Sequence, residues 1–360
     1  MSSSGFRSPA SGLLLSPKRI LVIRLDRLGD VILSTPVLQA LRQHCPHAFI
    51  AMMVRPPCRQ AVEGNPHLNE VLLYDKEQQH RGIRATLQFA RSLRRHQFDT
   101  ALVLHPSNRS HWIPWLARIP VRIGYDRKCG WLLTHRVPHR KQEGAKHEAA
   151  YTLDLLACFG IAAATPQPFV PVRPDAVQRV EALLAAQHVQ PTDSLVAIHP
   201  SASCISKRWM PERFAQVADR LAAERGVRIC LVAGESDAVY AEAVARGMVH
   251  PAVNFAGVLT VAELAALLRR CRLLISNDSG PVHVAAAVGT PVVDIFGRNQ
   301  RGLSPQRWGP LGAGHVILHK EVGCVTCLAH NCDIQFLCLT SLSVDEVYQA
   351  GVSVLERKAP

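Results

Sequence analysis

The chain has 360 residues, 48% of them hydrophobic and 19% charged, with a net charge of +13 and a pI near 9.5. That balance excludes a disordered or fibrous chain and is long enough for two cores. No run approaches the ~18 consecutive apolar residues of a membrane span, and the charge asks for an anionic partner: nucleic acid, lipid headgroups or a phosphorylated substrate.

Residues 1–17, with a three-leucine apolar stretch too short for a secretory signal, are expected to be a disordered tail. The alternation of strands and helices begins after it. "RILVIRL" is an apolar strand, and "TPVLQALRQHC" follows with helical spacing at Val37, Leu38 and Leu41. "AFIAMMV", "EVLLYD" and "FDTALVLHP" are further strands, with the helical "GIRATLQFARSLRRH" before the last. Continuous apolar strands separated by helices specify a parallel sheet covered on both faces.

The segment "GIAAATPQPFVPVRP" has four prolines and no helical period, which marks a linker over 166–174 between an N-terminal unit (18–165) and a C-terminal one (175–342). Beyond it the pattern restarts. "SLVAIHPSA", "VRICLVAG", "RLLISND" and "TPVVDIF" are strands; "PERFAQVADRLAAE", "TVAELAALLRRC" and "PVHVAAAV" are helices. The final segment, 343–360, opens with Ser343 and Glu346 in capping-box spacing and reads as a terminal helix. The fold class is therefore α/β, two doubly wound parallel sheets, whose ligands belong in a cleft beyond the carboxyl ends of the strands.

Unusual residues gather at those ends. "NDSGPVHV" places Asp278, Ser279 and Gly280 in a tight turn before a proline-initiated helix, whose free N–H groups and positive dipole suit a diphosphate. Lys207, in "HPSASCISKRW", offers a point charge for the same phosphates. Glu235 follows another strand; a carboxylate there can accept from ribose hydroxyls or simply cap a helix. His283 either meets a phosphate or sugar or packs as a half-buried imidazole. Asp30, in "RLDRLGDVILSTPVL", suits neither phosphate nor a glycine-rich loop. It is a dipole-stabilised helix residue, or a base for an attacking hydroxyl.

"VIRLDRLGDVILSTPVLQALRQHCP", "HPSASCISKRWMPERF", "VAGESDA" and "ISNDSGPVHVAAAVGTPVVDIFG" together resemble the ADP-heptose:lipopolysaccharide heptosyltransferases of glycosyltransferase family 9, over roughly residues 18–356. The resemblance implies a GT-B fold, with the acceptor on the N-terminal Rossmann-like domain and the nucleotide sugar on the C-terminal one. It implies inverting, metal-independent transfer of heptose from ADP-heptose to the inner core of lipopolysaccharide, with no cofactor required. Asp30 would be the base, with Asp26 its structural neighbour. Ser201, Lys207, Ser279 and Gly280 would hold the ADP, Glu235 the ribose, and Asp278 and His283 would lie beside the sugar and diphosphate. The acceptor carries carboxylates and phosphates in an anionic leaflet, so Arg55, Arg109 and Arg127 are expected to line the acceptor side of a cytoplasmic protein resting peripherally on the inner membrane. A heptosyltransferase acting on an autotransporter protein is the nearest alternative.

Of eleven cysteines, seven stand alone as reduced thiols. Cys324, Cys327, Cys332 and Cys338 have spacing suited to a structural zinc or iron. A basic nucleic-acid-binding protein with a zinc element is the alternative of a different class. It is disfavoured by 6% aromatics and the lack of a basic stripe. No G-x-G-x-x-G follows either leading strand, which speaks against a dinucleotide-dependent oxidoreductase.

Overall fold

A computed structural model describes residues 17–162, 165–324, 326–327 and 330–357. The tail expected over residues 1–17 falls, but for Pro17, outside the described residues. The strands are β1 (Arg19–Ile23), β2 (Phe49–Val54), β3 (Glu70–Leu73), β4 (Thr100–Val103), β5 (Val121–Asp126), β6 (His135–Pro138), β7 (Leu195–His199), β8 (Arg228–Leu231), β9 (Val253–Asn254), β10 (Leu273–Asn277), β11 (Val292–Phe296) and β12 (Val316–His319). They form two six-stranded sheets, ordered β3-β2-β1-β4-β5-β6 and β12-β11-β10-β7-β8-β9, and every pairing is parallel. Read from its third strand to its sixth edge, each sheet has the same doubly wound order.

Both faces of each sheet are covered, as the unbroken apolar strands require. In β1, Ile20 and Val22 pack into one core while Leu21 and Ile23 pack into another on the opposite face. In β7, Val196 and Ile198 face one core, Leu195 and Ala197 the other. This is the period-two alternation of a strand with two apolar faces. Four strands escaped the sequence reading: β5, β6, β9 and β12. β6 is largely exposed and ends in Pro138, and β9 has two residues, so neither carries a usable pattern.

The first helical segment is broken in two, Leu28–Ile32 and Thr35–His44. Pro36 has no N–H for the Ile32 carbonyl, and the Thr35 hydroxyl donates to that oxygen instead at 2.7 Å. The break keeps Leu28–Ile32 short and aimed at the sheet's carboxyl edge. Residues 165–173 carry no helix or strand, and a helix begins at Pro174. The expected capping box is present at the last helix, Val344–Leu355: the Glu346 N–H donates to the Ser343 hydroxyl and the Ser343 N–H to the Glu346 carboxylate. That helix covers the second sheet beside fully buried Trp209, whose indole N–H donates to the Leu342 carbonyl at 3.1 Å.

Candidate active site

The order of each sheet reverses between β1 and β4, and between β7 and β10. Ligands of doubly wound sheets sit outside such points. Here the two crevices face one another and share a cavity of about 780 Å3.

On the N-terminal side the cavity wall is ionic. Arg24, which leaves β1 and is 1% exposed, donates through Nε to Asp26 Oδ1 at 2.7 Å and through Nη2 to Asp30 Oδ1 at 2.6 Å. Its two terminal nitrogens also meet Glu148 Oε1, each at 3.2 Å. Asp26 is held at both oxygens, because His105 Nδ1 lies 3.0 Å from Oδ2. Asp30 is held at one; no described residue engages its Oδ2.

The two carboxyls therefore differ. Burial pushes both upward. Arg24 and His105 overcome this at Asp26 and hold it below the usual carboxylate range. At Asp30 burial wins, the neighbouring Asp26 charge adds to it, and Arg24 reverses only part of the shift.

The C-terminal side is mostly neutral. His199 ends β7 and is 5% exposed; Nδ1 lies 3.2 Å from Ser276 Oγ and 3.1 Å from Ser279 Oγ, and Nε2 lies 3.0 Å from Ser201 Oγ. Burial pushes its imidazole down to about 4, so it stays uncharged. Beyond β10, Ser279 precedes the helix Gly280–Ala287, with Pro281 in its first turn and no side chain capping its N–H groups. Lys207 Nζ points into the same wall and pairs with Asp278 Oδ2 at 2.5 Å.

Helices Leu28–Ile32 and Gly280–Ala287 meet with their N-terminal ends together. A Cβ on Gly29 would lie 2.6 Å from His283 Cδ2, so only glycine permits this approach. His283 is 4% exposed, and burial pushes it down to about 3. Its role as a packed neutral imidazole at the seam is thus visible, while Nε2 faces Gly29.

Asp30, Ser201, Lys207, Asp278, Ser279, Gly280, His283 and Arg127 all line the shared cavity. Arg55 and Arg109 line an adjoining cavity of about 500 Å3, which shares Asp26, Arg27, His105 and Lys128 with the first. Glu235 stands exposed, beside the lining residues Gly234 and Asp237. It occupies a single turn, Glu235–Asp237, in which residues two apart point different ways; Asp237 faces inward and accepts from Ser201 Oγ at 3.4 Å.

Cys324, Cys327, Cys332 and Cys338 do line one pocket, of about 290 Å3. Yet among the described residues no three or more His, Cys, Asp or Glu side chains are grouped to hold a metal. Two sulfurs are engaged by backbone: Cys338 Sγ donates to the Gly297 carbonyl at 3.0 Å, and Cys332 Sγ accepts from the Phe336 N–H at 3.1 Å. Burial, then the neighbouring sulfurs, pushes the Cys338 thiol up to about 11.

The sequence reading missed His105, Lys141, Glu148, His199, Asp237 and Arg307. Glu148 and Lys141 are 1% and 3% exposed and had no local signal. Glu148 looks like an ordinary first-turn acid of a helix (Glu148–Asp154). The histidine in "AIHPS" ends a strand, which is a signal that could have been used.

The chain matches the model of glycosyltransferase family 9 (heptosyltransferase) over residues 86–337. It is 30% identical to lipopolysaccharide heptosyltransferase 3 of Escherichia coli K12, over 75% of this chain and 79% of that protein. It is 27% identical to lipooligosaccharide heptosyltransferase 2 of Haemophilus ducreyi, over 83% of this chain and 88% of that protein. Its structure superposes on that of the glycosyl transferase family 9 protein from Veillonella parvula with a TM-score of 0.84, at 26% identity, covering 94% and 97% of the two chains. Two Rossmann-like sheets facing across a cleft, with these relatives, define a GT-B enzyme: the chain belongs to glycosyltransferase family 9, the heptosyltransferases.

Proposed function

We propose that this glycosyltransferase is inverting and metal-independent, moving heptose from ADP-heptose to the inner core of lipopolysaccharide. The observation that carries the reading is the meeting of helices Leu28–Ile32 and Gly280–Ala287 at Gly29 and His283. It sets a carboxylate with one uncommitted oxygen, Asp30, on the same cavity as a helix N-terminus and Lys207.

In this reading Asp30 Oδ2 takes the proton of the acceptor hydroxyl as that oxygen attacks the anomeric carbon. The bond from that carbon to the diphosphate breaks on the opposite face, so one displacement inverts the centre. The departing diphosphate takes the electron pair. Its charge is met by the first N–H groups of Gly280–Ala287 and by Lys207, drawn from Asp278. Fixed dipoles and a lysine supply the neutralisation that a cation would otherwise give. Ser201 and Asp237 are the polar groups placed for the ribose, with Glu235 at the rim. Arg55, Arg109 and Arg127 serve the acceptor's anionic groups, Arg127 from the shared cavity and the others from its extension. Residues 18–165 and 175–342 form the acceptor and donor domains, joined at 166–174.

The protein works at the cytoplasmic face of the inner membrane, docked by its N-terminal half. Residues 18–160 hold 22 Lys and Arg against 11 Asp and Glu, whereas residues 161–360 hold 18 against 17. The same half exposes Trp112 and Trp115, on the helix Asn108–Leu116, and Trp131, on the adjacent turn Gly130–Leu132. Tryptophan beside positive charge suits an anionic lipid interface. Among the described residues no helix is long and apolar enough to cross a membrane.

Titration with ADP, UDP, GDP and NAD, with and without EDTA, tests the donor. Selective, EDTA-insensitive ADP binding that Asp30→Asn retains, alongside loss of transfer in that variant, is the expected result. Near-normal turnover by Asp30→Asn would remove Asp30 as the base. An ADP affinity weakened by Asp237→Asn but not Glu235→Ala would assign the ribose to Asp237.

A further inference from the structure

Glu148 is a buried carboxylate that the transfer mechanism does not use, and it is bonded to cations from both halves of the molecule. Its Oε1 meets Lys141 Nζ at 2.6 Å as well as Arg24. Its Oε2 accepts from Arg307 Nε at 3.1 Å and Nη2 at 2.7 Å. Arg307 belongs to the C-terminal half, in the short helix Pro305–Trp308. The halves are keyed together around this contact. His147 Nε2 donates to the Gly309 carbonyl at 2.9 Å, and its Nδ1 accepts from Ala149 N–H, which fixes the tautomer. Gly144 has φ +63, and a Cβ there would lie 2.5 Å from the Gly302 nitrogen.

The Nη2 of Arg24 is shared between Glu148 and Asp30. Asp26, Asp30 and Glu148 therefore form one buried network with Arg24, Lys141 and Arg307, three carboxylates against three fixed or titrating cations. Without Arg307 the network holds one negative charge too many. Desolvated charge is costly unless paired, and a surplus of this kind is relieved by protonating the weakest acid.

We propose that Arg307 and Glu148 are positioning residues that tie the ionisation of Asp30 to the contact between the two halves: Arg307 reaches across the cleft and supplies the cation that lets all three carboxylates stay charged. The proposal rests on Asp30 as the base. Contact of the halves then arms the base at the moment the donor site is brought to the acceptor, and transfer to water in a separated enzyme is suppressed.

The shifts agree in direction. Burial would push Glu148 up, but Lys141, Arg24 and Arg307 hold it well below the carboxylate range. Burial, Asp26 and Glu148 all raise Asp30, which makes it the weakest acid of the three. Burial pushes Lys141 down to about 8, against the pull of Glu148, so its charge is easily lost. The other groups facing Asp30 do not supply the missing cation. His105 is committed to Asp26, and His283, on the opposing helix, is kept neutral by burial. Arg55 is paired with Glu77 and Lys207 with Asp278. Arg27, Arg127 and Lys128 are exposed and screened by water.

The test is the pH profile of kcat at saturating ADP-heptose and acceptor, with ADP affinity measured beside it. Arg307→Gln is expected to move the acid limb up by about one pH unit, losing about tenfold in rate on the acid side and recovering on the alkaline side. Arg307→Lys restores the charge and returns the limb towards wild type. Glu148→Gln removes a carboxylate and moves the limb the other way, and the double variant falls between. Should Glu148→Gln fail to fold, the two Arg307 variants decide alone. Equal loss at every pH, an unmoved limb, or a limb unmoved with weakened ADP binding overturns the proposal. Each of those leaves Asp30 as the base if Asp30→Asn is inactive. An active Asp30→Asn instead removes the reading on which the proposal stands.

Discussion

The two halves have the same strand order and opposite chemistry at the same topological point. After β1 the N-terminal half places a buried arginine and two carboxylates, which Glu148 joins from beyond β6, with ion pairs at 2.6 to 3.2 Å. After β10 and β7 the C-terminal half places serines, neutral imidazoles and an uncapped helix start, with one lysine. A fold that repeats does not carry its chemistry with it. The charged turn can tune and move a proton. The neutral turn can receive an anion on fixed dipoles beside histidines that stay uncharged, with Lys207 exchanging Asp278 for it.

Separating the two turns by mutation tests this division. The largest effect is expected for Asp30→Asn: transfer falls by about 10²–10⁴-fold while calorimetric ADP affinity stays unchanged. If ADP binding falls with activity, the charged turn is not confined to proton chemistry. Lys207→Met should do the reverse. Losing a charge-assisted bond costs about 1.5–3 kcal/mol, or about 10- to 100-fold in ADP affinity, with the acid limb of the kcat profile left in place.

Acid should strike the neutral turn through stability. His199 and His283 protonate near 6.5 when unfolded, but only at about 4 and about 3 when folded. The unfolded state thus binds more protons below pH 6.5, and stability falls as pH drops from there toward about 4. Tm measured across that range should decline, and His283→Leu should flatten the decline. An unchanged slope would mean that His283 is not held neutral. The smallest effect is expected at the surface. Replacing Trp112, Trp115 and Trp131 with serine should weaken retention on phosphatidylglycerol vesicles, leaving transfer to a soluble acceptor intact. Equal retention of the variant, or binding to duplex DNA in preference to vesicles, would remove the lipid surface as partner.

Much of the site was legible because its residues sit at strand ends, where a local pattern marks them. Asp30, Ser201, Lys207, Asp278, Ser279, Gly280 and His283 all reach the cavity. At the turn Glu235–Asp237 it is Asp237 that lines the cavity, and sequence cannot say which way such a turn faces. The cysteine spacing brought four sulfurs to one pocket, and the fold gave two of them backbone partners that spacing does not show. Counted by halves, nearly all of the excess positive charge belongs to the first.

By itself the sequence determined the fold class, the order of most strands, the capped terminal helix and the family. These depend on periodicity, turn chemistry and motifs that act over a few residues. Only the tertiary structure decided that Arg24 holds Asp26 and Asp30 unequally, that Gly29 meets His283, and that Arg307 reaches Glu148 from 159 residues away. Those contacts join segments distant along the chain. Their strength comes from shared burial, which no local pattern of residues encodes.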